Sequence, residues 1–168
     1  IMNTVTKAIK KLIEVQPYYG LFAMGVNREW SPDIPTLCVG LDGINFKLEI
    51  NKEYWYKHNE NERMGLIMHE LGHILFFHIT DLEDWHSKCP DHNLLNICMD
   101  LEVNSWIPAE YHWEESMAFQ LIKLLRIPLG MGTQWYIKFF EGFKKAAKSY
   151  SNGENNSKNN SDNNQSAE

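Results

Sequence analysis

The sequence predicts a single α+β domain over residues 1–150, with a small mixed or antiparallel sheet followed by helices. Three observations point there. Short strand-like segments cluster before residue 51, helical apolar spacing dominates after residue 59, and 43% hydrophobic with 23% charged residues suits a chain that buries one core. Residues 151–168 stand apart, because seven Asn and four Ser without any aromatic or branched aliphatic side chain cannot offset the entropy of ordering. They read as a disordered Asn/Ser-rich tail.

The elements follow in chain order. Residues 1–14 form a first helix, with Val5, Ala8, Ile9, Leu12 and Ile13 on one side and Lys7, Lys10 and Lys11 elsewhere. Without an uninterrupted apolar stretch or a small-residue cleavage site, this is a helix and not a targeting peptide. The nine-residue apolar run at 18–26 reads as a strand, followed by strands at 36–40 and 44–50 on either side of the turn signal Asp42-Gly43. Phe46, Leu48 and Ile50 alternate with Lys47 and Glu49, so the last strand is half exposed. Asn59 or Asn61 caps the next helix, whose apolar positions Met64, Ile67, Met68, Leu71, Ile74 and Leu75 recur every three or four residues. A second apolar helix opens near Asp91 or Asn93, and helices at 114–126 and 133–150 are divided by Pro128 and Gly130.

Several function classes are excluded by composition. A net charge of −6 and the lack of a basic stripe with interleaved aromatics argue against nucleic-acid binding. No run of eighteen apolar residues exists to span a membrane. Cys38, Cys89 and Cys98 are odd in number and unpaired in spacing, which fits reduced thiols and a cytoplasmic setting.

The most informative segment is His69-Glu70-Leu71-Gly72-His73, an HExxH pattern of the kind that holds a catalytic metal on a helix. At 3.6 residues per turn the two imidazoles lie about 40° apart on one face and can reach one ion. Glu70 is then placed to act as general base toward a water on that ion. Chance alone would give this pattern in roughly one chain of forty with 7 His and 15 Glu, so context must carry the reading. On the second helix Asn96, Asp100 and Asn104 recur in steps of four as a polar stripe on an otherwise apolar surface. Asp100 would complete a His-His-Asp set with an open fourth position, and Asn96 and Asn104 would fix the ligands by hydrogen bonds. His78 is the alternative third ligand. On an unbroken helix it points 140° from His73, and the apolar run 74–77 offers no break. His86, Cys89 and His92 form a second cluster, read as an ordinary polar loop.

These features resemble the zincin-type metallopeptidase domain family of bacteria and their phages, whose members are often joined to a von Willebrand A-like domain. The resemblance covers residues 15–126. It rests on Gln-Pro-Tyr-Tyr-Gly at 16–20, Leu-Asp-Gly-Ile-Asn-Phe at 41–46, Glu-Ile-Asn at 49–51, the HExxH segment with His78, and Asn96 to Asn104. It implies a zincin-like fold, one zinc ion on His69, His73 and Asp100, Glu70 as general base, and a peptide or protein substrate. It also implies that a strand just before the metal helix, here 44–50, is an edge that pairs with substrate backbone. Two departures are visible: Thr80-Asp81 replaces a basic residue common after the third histidine, and no von Willebrand A-like domain lies within these 168 residues. Tyr111 and His112, just past the Asp100 helix, are candidates to steady the oxyanion. The expected function is zinc-dependent peptide hydrolysis; the alternative is a catalytically silent metal-binding module acting in assembly, inhibition or recognition.

Overall fold

The computed structural model describes residues 3–146, so the predicted tail at 151–168 and the end of the last predicted helix lie outside the described residues. Helix α1 (Asn3–Val15) buries Val5, Ala8, Ile9 and Leu12, the stripe expected of its periodicity. Residues 18–26 were expected as a strand, but α2 (Pro17–Met24) is a helix opened by Pro17 in its first turn. Gly20 and Ala23 are buried three residues apart, while Tyr18, Leu21 and Met24 stay exposed. A side chain at Gly20 would run into the backbone of Ile13, so helical spacing lets α2 lie directly against α1. A uniformly apolar run carries no period that could have revealed this.

The sheet has three strands in the order β1-β3-β2, with β1 (Asn27–Trp30) parallel to β3 (Asn45–Ile50) and β2 (Leu37–Asp42) antiparallel to it. Asp42 pairs with Asn45, and Gly43 at φ 62° makes the tight hairpin turn between them. The strand expected at the edge, 44–50, is instead the centre of the sheet, paired on both sides. β1 was not foreseen, because Asn-Arg-Glu-Trp shows no apolar alternation and joins by main-chain pairing. The free edge beside the helices therefore belongs to β2.

After the short α3 (Lys52–Lys57), α4 (Glu60–Leu75) begins with a capping box in which Asn59 accepts from the Glu62 amide and Glu62 accepts from the Asn59 amide. It buries Met64, Leu66, Ile67, Met68, Leu71 and Ile74 between the sheet, α1 and the helices that follow. Its C-terminus turns sharply. Phe77 adopts φ 59°, and the His78 amide reaches back to the His73 carbonyl at 2.9 Å while the Phe77 amide reaches that of Ile74 at 3.1 Å. This is a Schellman turn with phenylalanine where glycine is the usual occupant.

Helix α5 (Leu82–Lys88) leads to α6 (His92–Asn104), capped by Asp91. A single 3-10 turn (Ala109–Tyr111), α7 (Met117–Leu125) and a helix over 133–146, α8, complete the order. Helix α7 starts three residues later than predicted, where the Ser116 hydroxyl accepts from the Phe119 amide. Helix α6 lies between two apolar layers: Val103 joins the core around α4, and Leu95, Cys98 and Leu101 pack with Tyr136 and Ile137 of α8. All three cysteines are free, and among the described residues no helix is long and apolar enough to cross a membrane.

Two glycines set how closely other elements approach α4. A Cβ at Gly65 would strike the Tyr111 carbonyl, and one at Gly72 would lie 2.5 Å from Val103 Cγ1 on α6. Gly72→Ala is expected to lower stability by about 1–3 kcal/mol in urea unfolding, with the double variant Gly72→Ala, Val103→Ala losing less than the sum of the singles. Phe77→Gly should raise stability by about 0.5–1 kcal/mol, because the left-handed backbone is relieved and the ring it removes is 62% exposed.

Candidate metal centre

Because α6 crosses α4 at Gly72, the polar stripe of one helix meets the histidine face of the other. The Nε2 atoms of His69 and His73 are 3.2 Å apart, and Asp100 Oδ1 lies 3.6 Å from the first and 3.3 Å from the second. Two imidazole lone pairs and a carboxylate oxygen repel one another at these separations unless a cation or protons lie among them. Tetrahedral zinc with bonds of 2.0–2.2 Å places its ligand atoms about 3.3–3.6 Å apart, so the donor set fits such an ion. Among the described residues this is the one group of three or more His, Cys, Asp or Glu with ligand atoms so gathered, all within 4.8 Å.

The outer nitrogens of both histidines are occupied. His69 Nδ1 lies 2.8 Å from Asn104 Oδ1, and Asn104 Nδ2 donates to the Ser116 hydroxyl at 3.2 Å, tying the His69 ring to the cap of α7. Trp113 meets the His69 ring edge to face at 5.6 Å. His73 Nδ1 lies 3.0 Å from His78 Nδ1, and His78 Nε2 lies 3.2 Å from Glu102 Oε2. His78 is therefore behind His73, not among the gathered ligand atoms. The Phe77 turn, absent from the sequence reading, folds it back there.

Glu70 faces the sheet, where its Oε2 accepts the Val39 amide of β2 at 3.0 Å. A cleft of 410 Å³ opens between β2 and α6 and is lined by His69, Glu70, His73 and Asp100 together with residues 36–39. Ile79, Leu82 and Met99 supply its apolar wall.

Burial shifts the titrations around this cleft. Desolvation lowers the His73 pKa and favours the neutral ring that a metal ligand needs. Burial opposes ionisation of Asp100, yet its pairing with His73 and with the neighbouring imidazoles outweighs it and holds the carboxyl below its usual range. Glu102 is likewise pushed up by burial but lowered overall by His78 and by the hydroxyl and amide of Thr133.

The remaining candidates lie further out. Asn96 is exposed at the cleft mouth, and among the described residues no hydrogen bond joins it to a ligand. Tyr111 is buried against Gly65. His112 bonds the Ile107 carbonyl at 2.8 Å and lines a separate groove with Trp113 and Phe119. His86 and His92 stack ring on ring at 4.1 Å, and the Cys89 thiol turns to the Asp91 carbonyl. Glu102 and Thr133 were not foreseen. Glu102 carries one signal, its position two residues past Asp100, whereas Thr133 reaches the site only through the packing of α8 on α6.

A pair of histidines on one helix, a carboxylate from a second and a cleft open beside a glutamate define a candidate mononuclear metal centre. The chain belongs to the family described as "Putative metallopeptidase domain", whose model matches residues 2–167. No curated protein and no solved structure matches it.

The lowered His73 pKa sets a sign for acid stability. An unfolded chain takes up a proton near pH 6.5 that the folded His73 resists, so stability is full above that value and falls as pH drops below it. In the metal-free protein the urea midpoint should decrease from pH 7.5 to 5.5, and the decrease should be shallower in His73→Gln.

Proposed function

We propose that the chain is a zinc-dependent peptidase of zincin-like fold, carried by residues 1–150, that hydrolyses peptide bonds. The observation that carries the reading is the convergence of His69, His73 and Asp100 donor atoms at 3.2–3.6 Å beside Glu70 in an open cleft. His69, His73 and Asp100 hold the ion, and a His-His-Asp set suits zinc better than harder cations. A zinc ion there supplies Lewis acidity that polarises a carbonyl and lowers the pKa of water toward roughly 7.

The chain's own residues do the rest. Glu70 is anchored by the Val39 amide through Oε2, which leaves Oε1 to take the proton of the attacking water and return it to the departing amine. Val39 gives its amide to α4 at the free edge of β2, and that edge borders the cleft. An extended peptide pairing with β2 would lie along the ligand face, the role that the resemblance gave to an edge strand. Asn104 holds His69 in orientation, and the hydrophobic wall excludes water from one side of the cleft.

Glu70→Gln should retain one zinc per chain while lowering cleavage of a mixed peptide library by about 10²–10⁴-fold. Metal analysis and mass spectrometry of the digests check both halves. Wild-type rates in the variant would overturn Glu70 as the base, and zinc in both proteins with cleavage by neither would favour the catalytically silent module.

A further inference from the structure

Behind His73 runs a buried line of groups that peptide hydrolysis does not itself require. His78 is 1% exposed, and its two ring nitrogens face His73 Nδ1 at 3.0 Å and Glu102 Oε2 at 3.2 Å. Thr133, the first residue of α8 and also buried, gives Glu102 Oε2 both its amide at 2.8 Å and its hydroxyl at 2.6 Å, and its oxygen lies 3.1 Å from His78 Nε2.

The protons on this line can be assigned by elimination. An amide can only donate, so Glu102 Oε2 is an acceptor. The Thr133 hydroxyl spends its one proton on the same oxygen, so toward His78 it offers a lone pair. Both neighbours of His78 Nε2 are thus acceptors, and that nitrogen carries the hydrogen. A neutral His78 then presents a bare Nδ1, which requires His73 Nδ1 to donate. The hydrogen on His73 is held away from the metal side, and its Nε2 lone pair points at His69 and Asp100. With the opposite arrangement, a hydrogen on His78 Nδ1 would force the His73 hydrogen onto Nε2 and block ligation.

We propose that Glu102 and Thr133 are positioning residues that act through His78 to fix His73 in its metal-binding tautomer, an inference that rests on the metal-centre reading above. It ties zinc affinity to the docking of α8, since Thr133 belongs to that helix.

The test combines zinc affinity, measured by competition with a chelating indicator, with ¹⁵N imidazole spectra of the zinc-loaded full chain. Glu102→Leu and His78→Phe should each weaken zinc by about 10–100-fold, and the double variant should be no weaker than the worse single. Thr133→Val, a milder change that keeps the shape, should weaken zinc several-fold, and Thr133→Ser should restore it. Wild-type spectra should show the hydrogen on Nδ1 of His73 and on Nε2 of His78. Unchanged affinity in Thr133→Val, additive losses in the double variant, or a hydrogen on Nδ1 of His78 would overturn the relay. A wild type that binds no zinc would instead overturn the metal-centre reading on which the relay rests, a result distinct from zinc binding that is unchanged in the variants.

Discussion

Helix α6 can reach α4 only where α4 lacks a side chain, and the geometry of the site depends on that contact. Gly72 lies inside the HExxH segment but has no ligand role; it admits Val103 to a distance no Cβ would permit. One turn earlier on the same helix as Val103, Asp100 then arrives within 3.3 Å of His73 Nε2. Gly65 does the same for the chain after α6, bringing the 3-10 turn against the opposite end of α4. Helix packing of this kind transmits position without flexible parts, because interiors packed at crystal density do not yield by an ångström.

The second constraint is local strain at the end of α4. A phenylalanine in the left-handed region is less stable than glycine there, and its ring projects into solvent. The turn it makes returns His78 under His73 within five residues. The capping hydrogen bonds of the Schellman turn and those of the His78 side chain hold the same few residues from both directions.

Electrostatically the centre is arranged so that each buried polar group has a partner, and no buried side-chain nitrogen or oxygen among the described residues is without one. His69 is served by Asn104 and Ser116, His73 by His78 and Glu102, and Glu70 by a strand amide. The donor atoms of His69, His73 and Asp100 are left facing one another with the outer nitrogens of both rings occupied, an arrangement that suits a candidate cation site.

Much of this was legible in the sequence. The HExxH spacing put His69 and His73 on one helix face, the four-residue steps singled out Asp100 and Asn104, and Asn59, Asp91 and the Asp42-Gly43 turn marked element boundaries, because these signals act within a few residues. Other features depended on contacts distant in the chain. The apolar run at 18–26 became a helix through its fit to α1, the strand at 44–50 became central because an unremarkable Asn-Arg-Glu-Trp paired beside it, and Phe77 made a turn that its residue type argues against. Glu102 and Thr133 entered the site from 31 residues apart by way of helix packing. Local periodicity and capping thus determined which side chains could share a face; only tertiary packing, through close helix contacts and strand order, decided which faces met and what stood behind them.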